Sequence, residues 1–183
     1  MKALWVSITA RIGAVVVVLS WVVSASAQPF VQTYLSQEVI GAFDVTAADF
    51  DNDGDIDIAV TSRLSHSVFW VEARNDSPSI THSIWVGGLD GPCGLTSGDF
   101  DSDGDADIVV ATYDENRFVL LENNGGSGGD RFTERTLLNN TNGAWSVSAG
   151  DIDSDGDLDL VTTEYRGNTV RWLRNDGGQF TQV

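Results

Sequence analysis

From about residue 40 onward the hydrophobic positions fall in short runs with polar punctuation between them. Ile58-Ala59-Val60, Val68-Phe69-Trp70-Val71, Ile108-Val109-Val110 and Phe118-Val119-Leu120-Leu121 are such runs, and Gly, Asn, Asp and Ser bound them. Runs this short, rich in β-branched and aromatic residues and flanked by turn formers, predict strands. No 3.6-residue period is sustained after residue 27, so the expectation is an all-β chain.

The runs repeat. Asp49-Phe50-Asp51-Asn52-Asp53-Gly54-Asp55-Ile56-Asp57 returns 50 residues later as Asp99-Phe100-Asp101-Ser102-Asp103-Gly104-Asp105-Ala106-Asp107. It returns again after a further 52 as Asp151-Ile152-Asp153-Ser154-Asp155-Gly156-Asp157-Leu158-Asp159. Ser67 to Glu72 recurs as Arg117 to Glu122 and Thr169 to Arg174. Each copy then reaches an Asn-rich turn at Asn75-Asp76, Asn123-Asn124-Gly125 and Asn175-Asp176-Gly177. A period near 50 with about four strands per copy predicts blades of a β-propeller, each of four antiparallel strands. The expected repeats are about 41–86, 91–138 and 143–183, with 28–40 an extra N-terminal outer strand that includes Phe30 to Leu35. Three blades are fewer than a propeller needs to close. The expectation is therefore an incomplete propeller, a piece of a longer product whose open edge invites edge-to-edge self-association.

The first 27 residues read differently. Lys2 and Arg11 precede an apolar run from Ile12 to Val23, and Ser24-Ala25-Ser26-Ala27 follows. A basic start, a short apolar stretch and a small-residue site predict a signal peptide cut after Ala27. The run is shorter than the roughly 20 residues that span a bilayer. The expected location is periplasmic, extracellular or at the cell surface, with no membrane insertion after cleavage. Cleavage removes two bases and no acid from a chain of net charge −17, and every base left is Arg. Such a surface excludes nucleic acid as a partner. Cys93 is the lone cysteine, so no disulfide framework holds the domain, and a metal is the natural staple.

Each loop places five carboxylates within nine residues. Unit charges about 4 Å apart repel by about 4 kcal/mol at an effective dielectric near 20. A hard divalent cation relieves that cost at neutral pH. Ca²⁺ accepts six to eight oxygens in flexible geometry, whereas Mg²⁺ dehydrates reluctantly. The absence of nitrogen and sulfur donors argues against zinc and copper. Asp49, Asp51, Asp53 and Asp57 are the expected side-chain ligands of the first loop, with the carbonyl of Asp55 and with Gly54 at the turn. The second set is Asp99, Asp101, Asp103, the Asp105 carbonyl and Asp107. The third is Asp151, Asp153, Asp155, the Asp157 carbonyl and Asp159. The side chains of Asp55, Asp105 and Asp157 are expected to face water. One Ca²⁺ per repeat gives three ions. An EF-hand is excluded, because Val60, Val110 and Thr162 stand where its bidentate Glu belongs.

The motif D-x-D-x-D-G-D-x-D, followed by a Trp/Leu strand and an Asn turn, resembles the FG-GAP or VCBS-type repeat of the integrin α-chain N-terminal head and of bacterial secreted proteins. The resemblance covers residues 30 to 183. It implies an Asp loop between the first two strands of each blade that binds Ca²⁺ through positions 1, 3, 5, 7 and 9. Ala47-Ala48, Ser97-Gly98 and Ala149-Gly150 replace the Phe-Gly and Gly-Ala-Pro marks of integrin blades, which places the chain nearer the bacterial branch.

Catalytic chemistry finds little footing. His66 and His82 do not recur between repeats, Cys93 reads as a small buried residue, and no nucleophile elbow, zinc-protease or phosphate-loop motif is present. The expectation is a non-catalytic extracellular binding, adhesion or scaffold module whose partner is an unidentified protein or glycan. The alternatives are a lectin-like carbohydrate-binding propeller and an accessory domain of a larger secreted polysaccharide-active enzyme. Trp70 and Trp172 hold equivalent places and are expected to pack between blades. Trp145 is expected in the core; Trp70, Trp85, Trp145 and Trp172 together are the tryptophans weighed for a sugar-binding surface.

Overall fold

A computed structural model describes residues 8–11, 14–17, 39–74, 77–84, 89–126 and 131–183. The chain divides into two units, Met1–Thr33 and Tyr34–Val183. In the first, β1 (Ile8–Arg11) and β2 (Ala14–Val17) form an antiparallel hairpin. The expected cleavage after Ala27, the Phe30–Leu35 strand, the Asn75-Asp76 turn and Trp85 lie outside the described residues. Among the described residues no helix is long and apolar enough to cross a membrane.

The second unit is built from three four-stranded antiparallel sheets, each a meander of consecutive strands. The first holds β3 (Ala42–Ala48), β4 (Asp57–Ser62), β5 (Ser67–Arg74) and β6 (Ser77–Ile84). The second holds β7 (Pro92–Gly98), β8 (Asp107–Thr112), β9 (Arg117–Asn123) and β10 (Phe132–Leu138). The third holds β11 (Ala144–Gly150), β12 (Asp159–Glu164), β13 (Thr169–Asp176) and β14 (Gln179–Gln182). These are propeller-type blades, as the repeat period predicts. The pairing of first and second strands shifts register at the same place in every blade, between Ala42 and Val45, Pro92 and Leu95, and Ala144 and Ser146. A bulge there adds twist to each sheet.

Period-2 alternation in the middle blade assembles two cores. Ile108, Val110, Val119 and Leu121 point toward the first blade and meet Phe50, Ala59, Val68 and Trp70. Val109, Ala111, Phe118 and Leu120 point the other way, to Ala144, Val147, Leu160 and Leu173 of the third blade. A sheet covered on both faces needs continuous apolar strands, which is why β8 and β9 lack the usual polar alternation. The outer face of the third blade is open. Val170 is 70% exposed although its counterparts Val68 and Phe118 are fully buried, and Ile152 is 46% exposed where Phe50 and Phe100 are buried. Trp172 is half-buried for the same reason, unlike its counterpart Trp70. The sequence expectation of blade-to-blade packing therefore holds for Trp70 and stops short for Trp172.

The innermost strands β3, β7 and β11 lie side by side. Thr61 Oγ1 donates to the Cys93 carbonyl at 2.6 Å, and the Leu95 N–H donates to Asp44 Oδ2 at 3.2 Å. Gly94 permits the closest approach: a Cβ there would stand 2.7 Å from the Ser146 Cα and 2.8 Å from the Trp145 carbonyl oxygen. Both neighbours are backbone and cannot rotate aside. Gly94→Ala is therefore expected to push the second and third blades apart, costing roughly 1–3 kcal/mol as other overpacked cores do. Urea unfolding of the variant measures this.

Candidate metal centre

Each Asp loop joins the first strand of a blade to the second, and the three loops fold alike. Gly54, Gly104 and Gly156 adopt φ of 95°, 95° and 103°, a conformation that favours glycine. Two residues earlier Asn52, Ser102 and Ser154 are also left-handed, at 60°, 64° and 66°. The two reversals curl the loop so that backbone N–H groups point inward. The Gly54, Gly104 and Gly156 amides donate to the first Asp of their loops at 3.0, 3.1 and 3.2 Å. The Asp55, Asp105 and Asp157 amides donate to Asp53, Asp103 and Asp155 at 2.9, 2.9 and 3.0 Å.

Carboxylate oxygens converge within 4.8 Å of one another in three groups, one per loop: Asp49, Asp51 and Asp53; Asp99, Asp101 and Asp107; Asp151, Asp153 and Asp159. Positions 1 and 3 of the motif thus meet in every loop, joined by position 5 in the first and by position 9 in the others. Asp155 and Asp157 approach Asp176 in a further group. These clusters are able to hold a metal ion. In the second loop Asp99 Oδ1 is buried, and among the described residues no donor reaches it. A carboxylate oxygen shut away from water beside two more carboxylates is the donor environment a hard cation fits.

The last Asp of each loop has a second task that sequence reasoning missed. Asp57, Asp107 and Asp159 are fully buried. One oxygen of each accepts the backbone N–H of Phe50, Phe100 or Ile152 in its own loop, at 3.2, 3.0 and 3.1 Å. The other accepts the N–H of Ala73, Asn123 or Asn175 on the third strand of the same blade, at 2.8 Å each time. Each carboxylate oxygen has two lone pairs, so these bonds leave capacity for an ion. The side chains of Asp105 and Asp157 also accept hydrogen bonds at the protein surface. Asp105 Oδ1 accepts from Asn52 Nδ2 of the neighbouring loop at 2.5 Å, and Asp157 Oδ2 accepts the Gly177 N–H at 2.7 Å.

Burial dominates the electrostatics. Desolvation pushes the Asp107 carboxyl up to about 7, against the Asn123 and Phe100 N–H groups that pull it down and with Asp101 and Asp103 adding repulsion. Desolvation also raises Asp51, Asp57 and Asp101. A carboxyl raised in the folded state holds a proton that the unfolded chain releases. In metal-free protein, stability is therefore expected to fall as pH rises from about 4 to about 7. An ion needs deprotonated ligands, so its stabilisation grows across the same window. Melting temperature in chelator should fall with pH across this window, whereas in saturating calcium, where both the bound and the unfolded states hold the carboxyl deprotonated, it should stay nearly flat.

At the other end of the blades the strand starts and the second turns gather aromatic rings. Trp145 meets Phe43 and Tyr113 edge-on at 5.4 and 5.6 Å, and lies tilted against Tyr165 at 5.2 Å. The Arg63 and Arg166 guanidinium groups lie 4.8 and 4.5 Å from the Tyr113 ring centre. Tyr165 is 65% exposed and Trp145 half-buried, so Trp145 belongs to a surface cluster rather than to the core that sequence reasoning assigned it. Cys93 is buried, and desolvation raises its thiol above the ordinary value. His66 pairs with Asp90 at 2.7 Å on the surface.

Four-stranded blades, each carrying an acidic loop between its first two strands, define a propeller-type repeat protein. The FG-GAP-like repeat model matches residues 49–110 and 99–162, each match spanning two acidic loops, and the chain belongs to that family. No curated protein matches the chain. Among solved structures it is similar to a catalytically inactive virginiamycin B lyase from Staphylococcus aureus with quinupristin, at 18% identity and a TM-score of 0.50. That similarity covers 81% of this chain and 42% of the lyase, and it concerns the fold alone.

Proposed function

We propose that the chain is a secreted calcium-binding repeat module, non-catalytic in itself, that presents its blades for extracellular binding, adhesion or scaffolding. The observation that carries the ion assignment is the buried, donorless Asp99 Oδ1 beside Asp101 and Asp107, in a loop whose architecture occurs three times. All-oxygen donors favour Ca²⁺ over transition metals, and crowding favours it over Mg²⁺. Asp49, Asp51, Asp53 and Asp57, with their equivalents in the other loops, are the side chains offered, and Ca²⁺ supplies charge neutralisation rather than chemistry. Secretion rests on the basic, apolar and small-residue order of residues 1–27.

Calorimetric titration tests the reading. Calcium should give saturable heat, with magnesium much weaker at the same concentration, and a calcium titration without heat of binding overturns it. A second reading, lectin-like recognition, draws support from the Phe43–Trp145–Tyr165 cluster, since exposed rings beside Arg166 suit a sugar face. A glycan array with a Tyr165→Ala control separates the two. The open apolar face at Val170 and Ile152 supports self-association as a further property of the isolated module.

A further inference from the structure

Two buried asparagines bridge neighbouring acidic loops. Asn123 and Asn175 end the third strands of the second and third blades, and each is 1% exposed. The backbone N–H of Asn175 donates to Asp159 of its own loop at 2.8 Å. Its side-chain Nδ2 donates across the blade boundary to the Phe100 carbonyl at 2.8 Å, between Asp99 and Asp101 of the preceding loop. The Phe100 N–H in turn donates to Asp107 at 3.0 Å, and Asp107 accepts the Asn123 N–H at 2.8 Å. Asn123 Nδ2 then crosses to the Phe50 carbonyl at 2.9 Å, and the Phe50 N–H donates to Asp57 at 3.2 Å. Each amide is further anchored in its own blade, Nδ2 to the Ala106 or Leu158 carbonyl at 3.1 Å and Oδ1 to the Gly125 or Gly178 N–H.

We infer that Asn123 and Asn175 couple the three loops, so that an ion bound in one raises the affinity of the next. The inference rests on the calcium reading and adds the regulation of those sites. Every link is a hydrogen bond between buried groups. A loop that relaxes on losing its ion must either carry the neighbouring Asn with it or leave a buried amide unpaired, which is costly. Phe100 is held on both sides by residues of the ion cluster, so the position of its carbonyl reports the state of the second loop to the third. Asn123 does the same between the second loop and the first. The two asparagines are positioning residues: they act on the ion sites through Asp107, Asp159 and the Phe carbonyls.

Coupling through the relay has the opposite sign to coupling through charge. An emptied third loop leaves its carboxylates uncompensated, and their field alone would tighten calcium at the second loop. Loss of the relay's support would weaken it. The experiment follows the backbone amides of Gly54, Gly104 and Gly156, one reporter per loop, by nitrogen-resolved NMR during calcium titration of the full chain. Asp153→Asn, which removes a ligand of the third loop, should weaken the Gly104 midpoint roughly tenfold, within the usual range of allosteric coupling. In an Asn175→Ala background the same substitution should leave Gly104 unmoved or slightly tightened. Asp51→Asn in the first loop should still weaken Gly104 there, because Asn123 remains, and this also verifies that the Asn175→Ala chain is folded. The coupling is overturned if Asp153→Asn leaves Gly104 unchanged in the otherwise native chain, or weakens it equally without Asn175. A chain in which no loop glycine responds to calcium overturns the ion reading and the coupling together, whereas independent responses overturn the coupling alone.

Discussion

Asp107→Ala is expected to cost about 2–6 kcal/mol, a large fraction of the roughly 5–15 kcal/mol that is the ordinary stability of a domain. Asp107 is fully buried and sits in the middle blade, which packs on both sides. Its two oxygens hold the Phe100 and Asn123 N–H groups, and alanine leaves both donors unmet at about 1–3 kcal/mol each. The damage would not stay in one blade, because Asn123 also anchors the Phe50 carbonyl of the first. Asp107→Asn preserves one acceptor and turns the other into a donor facing an N–H, so a loss between native and alanine is expected. Asp103→Ala is the contrast. Asp103 lies exposed on the loop, and without calcium its removal is expected to change stability by no more than about 0.5 kcal/mol. Guanidinium unfolding in chelator, run on all three variants, would show whether the ninth motif position has a structural role separate from its ion role.

Calcium itself carries the other large effect. A ligand that binds only the folded state at a hundredfold excess over its dissociation constant stabilises by about 2.7 kcal/mol per site. Three such loops together reach about 8 kcal/mol if each fills to that extent. In a chain of this size that corresponds to a rise in melting temperature of roughly 15–30 °C. Chelator should reverse the shift, and magnesium should reproduce only a small part of it. Thermal unfolding followed through the indole of Trp70, buried beside the first loop at Phe50, gives a direct readout.

Much of the fold and of the acidic loops is legible in the sequence, for reasons that can be named. Alternate aspartates around a glycine constrain one another locally, so the loop can be read from nine residues. The strands follow from apolar runs, and the blades from the recurrence of the same order of elements. What escaped depends on partners far along the chain. Asn123 and Asn175 read as turn formers, and they do accept the Gly125 and Gly178 amides, but their donors reach backbone 73 and 75 residues away. The recurrence of Asn at that register was the available signal. Trp145 and Trp172 were misjudged because burial belongs to the neighbourhood: Trp172 occupies the place of Trp70 and lacks the next sheet against it. Left-handed Asn52, Ser102 and Ser154 were overlooked because the glycine two residues later explained the turn well enough.

The central claim is that each acidic loop wraps one calcium ion, and counting ions tests it most directly. Protein equilibrated in calcium, passed through a desalting column and weighed by native mass spectrometry should carry three calcium ions per chain. Asp101→Asn should carry fewer. A folded chain that emerges with no calcium, after equilibration at millimolar concentration, would contradict the account.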